Sequence, residues 1–309
     1  ADDQTYSKLD ENTRNYTYEY FKNRLANEEV RTNPKQEFVD DIQNRLINKE
    51  KLNIVSIRKI ADSFGLTNIK DTTLQEYVEM AIINEAKNIA NRNDLSTKEK
   101  YDLVVELYET QPTISMRSSE RIEKQQYSTP IPMSFLAGQF VRDIAPSTIL
   151  EPSAGNGMMI FNVDAKNVIA NEIDKVRLEN LKEQGFRQVT NQDGTLPFNL
   201  MVDGIVTNPP FGPAPKKDYL GYGISGLDEQ MVVNALESMN DNGRASIVIG
   251  GHTNYNDNGT LKSQRAFLNY LYNYYNVTDI INVGGNLYQK QGTTFPTRMI
   301  LIDGRKKPL

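Results

Sequence analysis

The sequence predicts an α/β fold preceded by an all-helical module, on three observations. Residues 16–110 carry helical periodicity with cap signals. From about residue 147, short and often β-branched apolar runs alternate with helical stretches, and the first such run leads into a glycine-rich turn. Strand and helix in alternation imply a mainly parallel sheet covered on both faces. The polar stretch 111–119, with Pro112, is the expected boundary between a helical module, 1–115, and a sheet-bearing domain, 116–309.

In the helical half, Asn33 and Pro34 supply a cap and a pre-set first turn before KQEFVDDIQNRLINK, where Phe38, Val39, Ile42 and Leu46 form one apolar stripe. Ser56 is the expected cap of SIRKIADSFGL, and Gly65 ends it. Thr72 or Thr73 opens LQEYVEMAIINEAKNIANR, and Ser96 with Glu99 makes a capping box before YDLVVELYE. The second and third segments have the outline of a helix-turn-helix. Glu76, Glu79 and Glu85 carry the wrong sign for phosphate, however, so the segments read as a packed bundle.

In the second half the expected strands are TIL, NVIAN, QVT, VDGIVTN, ASIVIG, VTDIINV and TRMILID, with VRLENLKEQG and LDEQMVVNALESMN as helices between them. YLYNYYN reads as a helix packed on the sheet, and GPAPKKDYLGYG as a mobile loop.

With 38% hydrophobic and 24% charged residues, the 309-residue chain belongs to the soluble globular class. It has no cysteine, which excludes disulfides, thiolate zinc sites and cysteine nucleophiles, and no metal site is expected. No run approaches the roughly 18 apolar residues of a membrane span, and no signal-peptide pattern opens the chain; a cytoplasmic protein is expected. The first residue is not methionine, as in a processed chain or a piece of something longer. A net charge of −5 argues against a broad phosphate-binding face. The excess acid sits in residues 1–120, with 22 acidic against 17 basic residues, so a local basic face elsewhere is compatible with it.

Four motifs carry the chemistry. In LEPSAGNG, Gly155 and Gly157 let backbone approach a ligand beside Ser153 and Ala154, the amides of a following helix add donors, and Glu151 is placed to meet an ammonium. In NEID, Glu172 beside Ile173 stands about 20 residues after the glycines, where an acid accepts ribose hydroxyls, with Asp174 as the second choice. In NQDG, Asp193 with Gly194 is either an acceptor for an adenine amino group or a plain Asp-Gly turn. In VTNPPFG, Pro209 and Pro210 remove two amide donors and leave carbonyls free, Asn208 adds a side-chain carbonyl, and Phe211 adds a flat face. Such a site suits a planar group with an amino substituent.

The series QQYSTP, LEPSAGNG, NEID, NQDG and TNPPFG resembles, over about residues 120–305, the motif order of the S-adenosylmethionine-dependent methyltransferases acting on the N6 amino group of adenine in DNA. The helical half resembles methyltransferase modules in large proteins of phages and mobile elements. The resemblance implies a Rossmann-like seven-stranded methyltransferase sheet with its last strand antiparallel, cofactor at one half of the strand carboxyl edge and target base at the other. It implies cofactor contacts from Tyr127, Ser128, Thr129 and Pro130, and a target-side aromatic, Phe295. Asn208 and the Pro209 carbonyl would accept the two amino hydrogens of a flipped adenine, stacked by Phe211 and Phe295. Lys216 and Lys217 are candidates for phosphate contact, and the single histidine, His252, for a lesser substrate contact.

Related DNA enzymes carry a target-recognition domain after the catalytic one. This chain stops about five residues past its last expected strand, so a separate recognition subunit or the rest of a larger polypeptide is the expected partner. The rival readings are a protein-glutamine methyltransferase, an RNA amino-methyltransferase, and an inactive binding subunit that keeps the fold.

Overall fold

The computed structural model describes residues 33–113, 128–251, 258 and 264–306. The helical signals of 16–32, the expected boundary at 115–116, Tyr127 and His252 lie outside the described residues.

Among the described residues, four helices come first. α1 (Pro34–Ile47) starts as its cap dictates, with Asn33 accepting the Gln36 amide, and buries Phe38, Val39, Ile42 and Leu46. α2 (Ile54–Ser63) begins two residues before Ser56, because Asn53 is the cap and Ser56 closes a reciprocal box with it. α3 (Asp71–Ala90) begins at Asp71, ahead of both threonines, and no side chain caps it. α4 (Thr97–Thr110) has the Ser96–Glu99 capping box. These helices share one apolar core with Ile131 and Phe135 of α5 (Ile131–Arg142) and with Met158 and Phe161 of the sheet domain. Burying those side chains in common, at about 1.5–3 kcal/mol each, holds the helical layer against the sheet domain.

The seven expected strands are all present, as β1 (Ile149–Glu151), β2 (Val168–Asn171), β3 (Gln188–Thr190), β4 (Val202–Thr207), β7 (Met239–Gly250), β8 (Tyr275–Val283) and β9 (Thr297–Arg305). Between β4 and β7 lie two more strands, β5 (Pro213–Tyr219) and β6 (Tyr222–Gly226), which pair only with each other. The sheet order is β3-β2-β1-β4-β7-β9-β8, and β9 runs antiparallel to both of its neighbours. The α/β class and the seven-stranded sheet with an antiparallel last strand are therefore as the sequence implied.

The central register sets Leu150 of β1 between Ile169 of β2 and Ile205 of β4. α6 (Lys175–Lys182), α7 (Leu227–Glu237) and α8 (Arg265–Tyr274) complete the cover. One face of the sheet packs on α7 and α8, the other on α5 and the buried segment Met158–Val163. From β1 the chain moves outward to β2 and β3, then returns across β1 to β4. The order reverses between β1 and β4, and a crevice opens at such a point beyond the carboxyl ends of the strands. No helix among the described residues is long and apolar enough to cross a membrane.

Candidate functional site

A cavity of about 360 Å³ occupies that crevice, lined among others by Ser153, Ala154, Gly155, Glu172, Ile173, Gly194, Asn208 and Pro210. Its floor is the glycine-rich turn, where Gly155 and Gly157 take left-handed φ values of 56° and 94°. The turn is not a row of free donors, as the sequence suggested. Only a three-residue 3-10 turn, Met158–Ile160, follows it, and four amides of the glycine-rich turn are committed within the protein. Ser153 N donates to Glu151 Oε1, Ala154 N to the Asn171 carbonyl, Gly155 N to Glu172 Oε2 and Gly157 N to the Ala154 carbonyl. With two of these amides facing carboxylates and two facing carbonyls, this part of the floor is unlike an anion cradle.

Glu151 is wholly buried behind Ser153 and does not line the cavity. Its Oε1 accepts from Ser153 N, Ser153 Oγ and Thr207 Oγ1, while Oε2 has no partner, and burial pushes its carboxyl up to about 8. Glu172 does line the cavity. Gly155 N and Asp174 N each donate to one of its oxygens at 2.7 Å, leaving further lone pairs for a ligand. Burial raises its pKa, and Arg177 nearby offsets part of the rise. Asp174 caps α6 through the Val176 and Arg177 amides and is absent from the lining. Asp193 is an exposed turn residue, with Oδ1 accepting from Thr195 N and Oγ1; its neighbours Gln192 and Gly194 line the cavity instead. Gln192 Nε2 is a buried donor without a partner there.

Asn208 belongs to two cavities. The second, about 260 Å³, is lined by Asn208, Pro209, Phe211, Tyr288, Thr293, Phe295 and Thr297. Asn208 Nδ2 donates to Thr129 Oγ1 at 2.7 Å, and its Oδ1 is buried without a partner. The Phe211 and Phe295 rings stand 5.8 Å apart, tilted by 34°, in contact with each other. Tyr288, unsuspected from sequence, is buried in this wall, and burial raises its pKa. Ser128 and Thr129 line the first cavity, whereas Pro130 lies at the start of α5 and accepts its first amides.

Lys216 and Lys217 line neither cavity. The segment read as a mobile loop is the hairpin β5–β6, closed by Leu220 and Gly221, both at positive φ. Tyr219 and Tyr222 at its tip pack on Tyr270 and Tyr274 near the end of α8, just before β8 starts. β8 runs parallel to β7, so the tip lies at the amino edge of the sheet, away from the cavities.

Sequence reasoning also missed the contribution of α3. Glu79 lines the first cavity and accepts the Ser128 hydroxyl at 2.6 Å. Glu76 pairs with Arg177, whose guanidinium also lines the cavity, and accepts from Asn156 in the glycine-rich turn. Burial alone would lower the Arg177 pKa, but Glu76 and Glu79 outweigh it and hold it raised. Among the described residues no group of His, Cys, Asp and Glu could hold a metal ion.

No protein-family model matches the chain, and no curated protein sequence matches it. Solved structures do resemble it. A class I S-adenosylmethionine-dependent methyltransferase from Listeria monocytogenes, described as putative, aligns at 14% identity over 92% of this chain and 85% of that one, with a TM-score of 0.46. A modification subunit of a putative type I restriction enzyme from Vibrio vulnificus YJ016 aligns at 15% identity over 75% and 57%, also with a TM-score of 0.46. The type IIG restriction endonuclease BpuSI aligns at 15% identity over 90% and 40%, with a TM-score of 0.45. This chain thus spans little more than half of the Vibrio subunit and less than half of BpuSI. Likenesses at these scores assign no function, and the reading below rests on the site.

Proposed function

We propose that the protein transfers a methyl group from S-adenosylmethionine to the N6 amino group of an adenine in DNA, the base being held outside the duplex in the second cavity. The observation that carries this is Asn208, which joins the two cavities and keeps an unpartnered, buried acceptor oxygen. An orphaned acceptor is costly in a folded protein and expected where a ligand donor completes it.

The first cavity suits the cofactor. Glu172 offers lone pairs to ribose hydroxyls, Gln192 offers an unpartnered amide to a purine ring, and the space beyond Gly155 is open to a ligand. Two of the turn's amides, those of Ser153 and Gly155, are held by carboxylates, which suits a ligand without phosphates. Bound there, the cofactor supplies a methyl on a sulfonium, which the amino lone pair takes while sulfur keeps the bonding pair.

The protein's part is positioning and electrostatics. Asn208 Oδ1 and the Pro209 carbonyl accept the two amino hydrogens, which turns the nitrogen lone pair out of the ring and toward the first cavity. Neither group is a base, so the surplus proton leaves to water. Phe211 and Phe295 touch each other, so an incoming base stacks on an outer face or parts them.

The test offers radiolabelled S-adenosylmethionine with DNA, RNA and a glutamine-bearing protein side by side. Label in DNA supports the reading; label confined to RNA or to protein moves the substrate to that class; label in none leaves a binding protein with this fold.

A further inference from the structure

The wall of the second cavity includes two residues with a buried polar atom that the protein leaves without a partner. One atom is Asn208 Oδ1, and the other is Thr297 Oγ1. Thr297 is 2% exposed. A buried hydroxyl without a partner costs free energy, and one beside an orphaned acceptor in a cavity wall points to a ligand that satisfies both. Backbone fixes its position. Thr297 opens β9, paired with Gly250 at the carboxyl end of β7 and with Val283 at the end of β8, and the Gly251 amide donates to the Pro296 carbonyl at 2.8 Å. A residue held by strands on both sides presents its side chain more precisely than one on a loop. Tyr288 adds to this wall and donates to Met133 Sδ at 3.7 Å. The Asn208 and Thr297 side chains stand near its phenol and counter part of the rise that burial gives its pKa, yet Asn208 Oδ1 and Thr297 Oγ1 form no hydrogen bond with it.

The two orphaned atoms differ in kind, and that difference describes the ligand. Asn208 Oδ1 only accepts, whereas a threonine hydroxyl also donates, so the pair fits a group with a donor next to an acceptor. An extruded adenine offers that pair on its Watson–Crick edge, where the N6 amino group stands beside the unprotonated ring nitrogen N1. Building on the methyl-transfer reading above, we propose that Thr297 is a base-reading residue of the target cavity, whose hydroxyl donates to N1 of the flipped adenine while Asn208 accepts from N6. With both positions of the edge held, the ring is kept from rotating in its plane, and the amino lone pair stays aimed at the first cavity. The start of β9 is in this way part of the target site.

Methyl transfer to short single DNA strands carrying one adenine, one 1-deazaadenine or one 7-deazaadenine tests this, with wild type and with Thr297→Val. Valine keeps the branched shape of threonine and removes the hydroxyl. 1-Deazaadenine has a C–H in place of N1, whereas 7-deazaadenine keeps N1. The variant is expected to lose about tenfold in kcat/KM on adenine and on 7-deazaadenine, and less than about twofold on 1-deazaadenine, where the hydrogen bond is already missing. An equal loss on all three strands, a loss that vanishes on 7-deazaadenine instead, or no loss on adenine would overturn the assignment and leave the methyl-transfer reading standing. Wild type alone supplies a second measurement: its KM for the 1-deazaadenine strand is at least about fivefold above that for the 7-deazaadenine strand. Equal values overturn the proposal even if the variant does not fold. A wild type that methylates none of the strands defeats the methyl-transfer reading, and the assignment with it.

Discussion

Asn208 donates its side-chain amide to the Thr129 hydroxyl at 2.7 Å, and that bond leaves the other end of the amide unpartnered. With Nδ2 committed, the unpartnered Oδ1 is the atom left to receive a donor. Thr129→Val removes the acceptor and frees the amide to turn over. The expected result is a fall in kcat of about tenfold to a hundredfold with cofactor affinity nearly unchanged, restored by Thr129→Ser. An unchanged kcat would show that another contact orients Asn208.

Glu172 is held by Gly155 and Asp174 on one side and faces the cavity on the other. Glu172→Ala should weaken S-adenosylmethionine binding by about 1.5–3 kcal/mol, the range for a lost charge-assisted hydrogen bond. Calorimetry reads this directly. Affinity equal to wild type would take the ribose role away from Glu172, and Asp174, bound up in capping α6, is poorly placed to inherit it.

The Glu76–Arg177 pair links residues 101 apart in sequence, and both side chains are only 9% exposed. Removing Glu76 takes the bidentate carboxylate from a buried guanidinium, at a cost of about 3–5 kcal/mol, whereas replacing both with apolar residues costs less. Denaturant titration should therefore find Glu76→Ala far less stable than wild type and Glu76→Leu with Arg177→Leu much closer to it. Equal losses in the two proteins would contradict this.

Much of this layout was legible in the sequence because it is local. Each core strand is a short apolar run bounded by turn residues, and Leu150, Ile169 and Ile205 announce a sheet buried on both faces. The Ser96–Glu99 capping box, the glycine-rich turn and the acid after β2 are read from neighbours close in sequence. What failed to show depends on distant partners. Glu76 and Glu79 look like solvated acids on a helix, and only the packing of α3 against Arg177 and Ser128 turns them inward. Asp193 sits in a motif that is equally a turn, and its contacts with Thr195 are local. The hairpin was hidden because β5 is largely exposed and rich in proline and lysine, and because Leu220–Gly221 closes it without the usual Asn-Gly signal.

Glu151 makes stability depend on pH. Burial lifts its carboxyl from 4.5 to about 8, against the partial offset of its three donors. Between those values the folded chain holds a proton that the unfolded chain has lost. The stabilising contribution of the neutral carboxyl is complete below the unfolded value and is lost as pH rises through the folded one. Denaturation midpoints should therefore fall less steeply in Glu151→Gln than in wild type between about pH 5 and pH 9. Glu229, lifted to about 7, contributes to both proteins alike. Parallel profiles would mean that Glu151 is already ionised in the folded chain.

The central claim is that Asn208 presents an amino group to a methyl donor across the boundary of the two cavities. The direct measurement is nucleoside mass spectrometry of adenine-containing DNA after incubation with S-adenosylmethionine, for wild type and for Asn208→Ala, with cofactor affinity measured in parallel. The expected result is N6-methyladenine from wild type, a loss of at least about a hundredfold in the variant, and cofactor binding nearly intact in both. N6-methyladenine formed at an undiminished rate by Asn208→Ala, or methylation at a site other than an amino nitrogen, would contradict it.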